Sequence, residues 1–273
     1  MGVVRAFLSS RTLWTVMAFL LIWSLTRIAL RGLSRDPRFD AYPDRVQAEG
    51  PAWGGSELLQ PVVDRLDALG RVNLFDPRFD ERVRGALLEL PCVASVTEIR
   101  KLWPSRYSVD VTLRRPAAVV VHGARRVPVT ADGVALPAGP YARASRGLME
   151  IRGVPGARPA VGQIWRSNEL AAGLATVAQL APHLDALAPL ELACVDVSEA
   201  EVARSGVYLY GGEGISVRWG RPLQSVGENL PERKLEFLGI AAGQVDRVRG
   251  LETDVRFSKL YCRQPTRPAP PRP

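Results

Sequence analysis

Between Leu90 and Ala118 the sequence alternates pattern and punctuation in a way that few folds accommodate. Leu90-Pro91 closes a helical pattern, because proline drives the residue before it out of the helical region. Val93 to Arg100 then reads as a strand. In the next run Tyr107, Val109, Val111 and Leu113 alternate with Ser108, Asp110, Thr112 and Arg114, the period of two of a strand with one buried face. Trp103-Pro104-Ser105-Arg106 joins the two as a turn, and Pro116 leads the chain out.

A strand pair with one apolar face needs a cover, and the residues before it supply one. Asp76-Pro77 marks a helix start, and Phe79, Val83, Ala86, Leu87 and Leu90 share one helical face. Leu58, Leu59, Val62, Val63, Leu66 and Leu69 form an earlier stripe whose regular part opens at Pro61. Arg45 to Ala48 reads as a short first strand. Residues 45–115 thus form a strand-helix-helix-strand-strand unit, small but sufficient for a core of its own.

A second unit begins at Pro116. Strands are expected at Ala117–His122, Arg126–Thr130, Leu148–Arg152, Leu190–Val197, Gly206–Tyr210 and Gly214–Trp219. Ala131-Asp132-Gly133 is a turn, with Val134 to Leu136 resuming the strand. Ser167 caps a helix over Asn168–Leu180 with Leu170, Leu174, Val177 and Leu180 inward. A second helix, Pro231–Ala242, turns Leu235, Leu238 and Ile240 inward, and Leu251–Tyr261 closes the unit as one strand. Gln264 to Pro273 is proline-rich and reads as an extended, solvated tail.

Ahead of both units, Thr12 to Thr26 carries no charge. Extended to Leu30, it spans about 28 Å as a helix, enough to cross a bilayer core. Arg27 can snorkel to the interface. A membrane anchor is favoured over a cleaved signal peptide, because no small-x-small cleavage site follows Thr26. Arg31, Arg35 and Arg38 follow the span and suit anionic lipid. Charge alone leaves the orientation open, since large domains translocate with little regard to it.

The chemistry of known sites is sparse. The formal charge of +8 comes from scattered arginines, with no basic run interleaved with aromatics, so nucleic acid is not expected as a partner. None of the three cysteines, Cys92, Cys194 and Cys262, lies in a paired motif, and His122 and His183 lack ligand neighbours; no metal site is expected. Cys92 and Cys194 read as small buried hydrophobes. No nucleophile elbow, phosphate loop or dinucleotide fingerprint is present, and Gly211, Gly212 and Gly214 are better explained by a hairpin. Glu191, Asp196, Glu199 and Glu201 cluster around one strand end, where a solvated turn is a simpler reading than a paired-carboxylate hydrolase site. Tyr208 and Tyr210 share a strand face and read as half-buried packing.

Taken in order, these features resemble the bacterial cell-division proteins of the FtsQ/DivIB family. The resemblance rests on the single apolar helix, Phe79–Pro91 with Val93–Val96 beyond it, and Arg100-Lys101-Leu102-Trp103-Pro104. It continues through Leu113-Arg114-Arg115-Pro116-Ala117-Ala118 and Val129-Thr130-Ala131-Asp132-Gly133. Ile215–Gly220, the helix of Lys234 and Glu252-Thr253-Asp254-Val255-Arg256-Phe257 complete it. Arg114 stands where the family has an acidic residue, and Val46-Gln47-Ala48-Glu49-Gly50 departs from its first-strand pattern.

The resemblance implies an α+β fold. It assigns residues 1–11 to a cytoplasmic N-terminus, 12–30 to a transmembrane helix, 31–44 to a linker and 45–115 to a POTRA domain. A mixed β domain with two helices would fill 116–262, and a disordered tail 263–273. It further implies a single-pass inner-membrane protein, periplasmic in bulk and found at the division site, with no catalysis, no cofactor and no small-molecule substrate. Its partners would be coiled-coil division proteins of the FtsB/FtsL type, taken up by strand addition. The matching strand is Asp254–Cys262, with Arg256, Phe257, Leu260 and Tyr261 as partner-binding residues. A POTRA-type translocation adaptor and a membrane-anchored envelope hydrolase are the alternatives.

Overall fold

A computed structural model describes residues 11–49, 56–199, 206–221 and 227–265. The expectations for residues 1–10, for Glu201 and for the tail from residue 266 lie outside the described residues. The fold is mixed, with one N-terminal apolar helix and a large β-rich C-terminal part. The chain divides into two compact units, one holding residues up to Glu49 with Leu59–Leu113, the other the segment up to Leu58 with Arg114 onward.

Helix α1 (Arg11–Leu33) is long and apolar enough to cross a membrane. Its large apolar side chains, Trp14, Phe19, Leu21 and Ile22 among them, are exposed. The helix runs one turn past Leu30 because nothing before Pro37 breaks it. Its end is held by Asn73, whose side-chain amide donates to the carbonyls of Leu33 (3.2 Å) and Asp36 (3.0 Å). Both carbonyls also accept a backbone amide, Leu33 from Asp36 (3.2 Å) and Asp36 from Phe39 (3.1 Å), so Asn73 adds a second donor to each.

Strand β1 (Asp40–Glu49) starts five residues earlier than Arg45, so the expected 31–44 linker is divided among helix, a short 3-10 turn at Pro37–Phe39 and strand. Pro43 is tolerated inside the strand because the register shifts between Pro43 and Arg45, a bulge that accommodates a residue without an N–H. Helix α2 (Gln60–Leu69) carries Pro61 in its first turn. The two-residue strand β2 (Val72–Asn73), too short to leave a periodic signal, pairs with Asp40 and Ala41. Helix α3 (Phe79–Leu88) follows an Asp76 turn in which Oδ1 accepts from the Arg78 amide at 2.9 Å.

Strands β3 (Val93–Leu102) and β4 (Arg106–Leu113) form the anticipated antiparallel pair. β1 joins β4 in parallel, giving the order β2-β1-β4-β3. Tyr107, Val109, Val111 and Leu113 are buried, as are Val62, Leu66, Phe79, Val83 and Leu87 of the two helices. The rings of Phe79 and Tyr107 meet edge-on at 5.2 Å.

The second unit is an eight-stranded sheet. Its strands are β5 (Ala118–His122), β6 (Arg125–Val129), β7 (Glu150–Arg152), β8 (Cys194–Asp196), β9 (Val207–Tyr210), β10 (Ser216–Gly220), β11 (Glu252–Asp254) and β12 (Tyr261–Arg263). They lie in the order β12-β11-β10-β9-β8-β7-β5-β6. Helix α4 (Asn168–Leu180), capped by Ser167 Oγ accepting from the Leu170 amide, and helix α5 (Pro231–Gly243) supply one side of the core. Leu170, Leu180, Phe237 and Leu238 pack there with Ile151, Val195, Leu209, Val217 and Trp219. α4 approaches the sheet closely at Gly173, where a Cβ would lie 2.9 Å from Ile151 Cγ2. A four-residue helix α6 (Val245–Val248) follows α5. Ile240, expected inward, is exposed: it lies two residues from Leu238, and neighbours two apart on a helix do not share a face.

The expected closing strand over Leu251–Tyr261 is two strands. β11 stops at Asp254, the chain turns, and β12 returns antiparallel to it, pairing Asp254 with Tyr261 and Glu252 with Arg263. Part of the reason is local. Asp254 Oδ1 accepts from the Arg256 amide at 3.1 Å, a side-chain-to-backbone bond of the kind that ends strands.

Candidate functional site: the open margin of the C-terminal sheet

β11 is enclosed on both flanks, by β10 in parallel and β12 antiparallel. The expected free edge over Asp254–Cys262 is therefore confined to its far end. β12 closes the strand order, so its outer edge has no partner strand among the described residues. Tyr261, Cys262 and Arg263 are all exposed.

The turn that places β12 is built by buried polar groups. Arg256 is only 7% exposed, and its guanidinium grips Asp254 through Nε to Oδ1 (2.9 Å) and Nη2 to Oδ2 (2.7 Å). Burial pushes the Asp254 carboxyl up, but the Arg256 hydrogen bonds and charge outweigh it and hold the group below its ordinary value. Asn229 clamps the same turn. Its amide donates to the Arg256 carbonyl at 2.6 Å, and its side chain donates to the carbonyls of Val255 (3.0 Å) and Phe257.

Beside this clamp, Lys234 is buried with Glu228 (2.8 Å), donates to the Arg221 carbonyl (3.2 Å) and lies over the Trp219 ring. Gly220 makes room for the arrangement: a Cβ there would fall 2.3 Å from Glu228 Oε2 and 2.7 Å from Arg256 Cδ, and its φ is +83°. At the strand itself Arg263 Nε donates to the buried Glu252 at 3.0 Å, fastening β12 to β11.

The four residues singled out in the sequence have different fates. Tyr261 is 54% exposed on the edge strand and Phe257 is 41% exposed at the turn, with the Arg256 guanidinium 4.8 Å from its ring centre. Leu260 is partly buried against the core. Arg256 is committed to Asp254 and is not a surface anchor, which corrects its expected role. Asn229 and Glu228 were not read from sequence. An Asn two residues before Pro231 looks like a helix cap, and its true partners lie 26 and 28 residues downstream.

Elsewhere the chemistry stays dispersed. Glu191 is exposed in a left-handed turn, Asp196 accepts from the Ser198 amide at 2.9 Å, and no group of three metal-ligating side chains occurs among the described residues. His122 faces the Gly156 carbonyl at 2.9 Å and the Trp165 ring. Cys92 and Cys194 are buried and Cys262 exposed. Burial pushes the Cys194 thiol up to about 12 and raises the Tyr210 hydroxyl beside it. A cavity of about 670 Å³ along α4 is lined mostly by apolar side chains such as Trp165, Leu170 and Leu174. No family model matches this chain, and no curated protein matches it.

Proposed function

We propose that this chain is a non-catalytic, single-pass membrane scaffold of the FtsQ/DivIB kind, and that it recruits coiled-coil division proteins by strand addition at β12. In this reading α1 is the span, the unit from β1 to β4 is a POTRA domain, and the eight-stranded unit is the β domain, both on the periplasmic side. The observation that carries it is the exposed outer edge of β12 at the end of the sheet order. An unpaired edge offers backbone donors and acceptors to an incoming strand, and alternate side chains select it. Tyr261 and Phe257 supply exposed aromatic surface beside that edge, the residue type that anchors interfaces. The order of sequence features from Phe79 to Phe257 supports the family reading.

The test uses the full chain in detergent micelles with a membrane-anchored coiled-coil partner of the FtsB/FtsL type. Tyr261→Ala is expected to weaken binding about tenfold or more, the effect of losing an aromatic anchor. Cys262→Pro, which removes an edge N–H, weakens it further. Wild-type binding by both variants, or a fluorescent fusion spread evenly around the envelope and not gathered at mid-cell, overturns the reading.

A further inference from the structure

We propose that the cleft where the C-terminal end of α1 meets β2 and β3 binds the phosphate-bearing headgroup of an anionic phospholipid, with the adjacent aromatic cluster seated in the same leaflet. The inference rests on α1 lying in a bilayer, and it concerns a surface remote in sequence from the β12 edge.

Arg27, Leu30 and Arg31 of α1, with Ser34 just past its end, line this cleft of about 560 Å³. Their spacing of three and four puts them on one helical face. Across from them stand Phe75 and Lys101. Two cations, Arg31 and Lys101, therefore line the cleft where a span of some 31 Å, Leu13 to Leu33, leaves the hydrocarbon.

The charges are available to a ligand. Lys101 Nζ donates to the Leu74 carbonyl at 3.0 Å, lies 3.9 Å from Asp80 and sits 4.7 Å from the Phe79 ring centre, which places its positive charge at the wall of the cleft. Arg27 stacks over Trp23 at 4.3 Å, one turn nearer the N-terminus, so its guanidinium lies back along the span and only its stem lines the cleft. One carboxylate, Asp76, also lines the cleft, but it is turned to Arg82 (3.2 Å) and the Arg78 amide (2.9 Å).

The second observation is aromatic. Phe39, Phe75 and Trp103 form a cluster with ring centres 5.0 to 6.2 Å apart. Phe75 belongs both to this cluster and to the cleft. Trp103, at the tip of the β3–β4 turn, is 70% exposed. A large exposed indole beside a membrane helix end fits the headgroup level, where amphipathic rings concentrate. Asn73 fixes the arrangement by binding the carbonyls at the end of α1, so the cluster is held at a set height relative to the span. Cations for the phosphate and rings for the acyl boundary point to a lipid of the bilayer itself as the occupant.

The experiment places the full chain in nanodiscs of phosphatidylcholine with or without phosphatidylglycerol. Native mass spectrometry of the released protein counts retained lipid, and brominated lipid tests whether Trp103 is quenched, read as the difference between wild type and Trp103→Phe. The wild type is expected to retain phosphatidylglycerol preferentially. Arg31→Gln lowers that preference several-fold, and Arg31→Gln with Lys101→Gln lowers it roughly tenfold or more. The Trp103 component is expected to be quenched. Equal retention of both lipids by the wild type, retention unchanged in Arg31→Gln, or an unquenched Trp103 component overturns the headgroup site while leaving the span intact. A chain that fails to enter the discs overturns the span as well.

Discussion

Arg256→Ala separates two readings of one residue. As a surface anchor, Arg256 would be dispensable for folding and costly for binding. The structure makes it one half of a buried ion pair with Asp254, both side chains 9% exposed. Removing one partner of such a pair typically costs about 3–5 kcal/mol, because the other charge stays buried. Asp254 keeps the amide of residue 256 as a donor at 3.1 Å, so the lower end applies, about 3 kcal/mol. For a unit of this size that lowers Tm by roughly 6–12 °C. The pH dependence has a definite sign. In the wild type the Asp254 carboxyl is held below 3.8, so its stabilisation is present above that value and fades as pH falls through the lower folded one. Without the guanidinium, burial is opposed only by the residue-256 amide and the Arg218 charge, so the carboxyl rises relative to the wild type and protonation relieves the variant. The gap between the two proteins is widest near neutral pH and narrows below about pH 4. Thermal unfolding of the detergent-solubilised chain, followed by near-UV circular dichroism across pH, measures both quantities. A Tm change under about 2 °C at pH 7 would refute the buried-pair reasoning.

In the folded chain Cys262 is expected to react with maleimide within minutes, while Cys92 and Cys194 label only on unfolding; peptide mass spectrometry assigns the sites. Because the Cys194 thiol rises from 9.0 to about 12 on burial, its contribution to stability is present below pH 9 and is lost as pH climbs toward 12, visible as a falling Tm. Gly173→Ala gains helix propensity of about 1 kcal/mol but drives a methyl against Ile151, so a net loss of up to about 2 kcal/mol is expected in urea titrations. Asn73→Ala removes the donor to Leu33 and Asp36, costs about 1–3 kcal/mol, and should open residues 34–39 to limited proteolysis.

Local pattern made much of the architecture legible. The alternation from Tyr107 to Leu113, the cap at Ser167 and the charge-free run after Thr12 each describe a physical event within one element, and those elements formed where the pattern placed them, whereas the helix expected from Asp76-Pro77 starts at Phe79 with Arg78 as its uncapped first flank. What escaped depends on contacts between distant residues. The two residues of β2 are a strand only because Asp40 and Ala41 lie beside them. The break after Asp254 follows from Arg256 folding back on Asp254 and from Asn229, 26 residues away in sequence, holding the turn, and no periodicity announces either. For the same reason the candidate site was half legible. The family resemblance named Tyr261 and Phe257, which the structure leaves exposed, while the burial of Arg256 could not be told from its neighbours in sequence.

Amide hydrogen exchange across Tyr261–Arg263, with and without a coiled-coil partner of the FtsB/FtsL type, addresses the docking edge most directly. β12 is flanked by one strand and is expected to exchange quickly in the free chain, then to slow by at least tenfold when a partner strand supplies the missing backbone acceptors. Unchanged exchange at these amides in a saturated complex, with slowing elsewhere on the surface, would contradict the account.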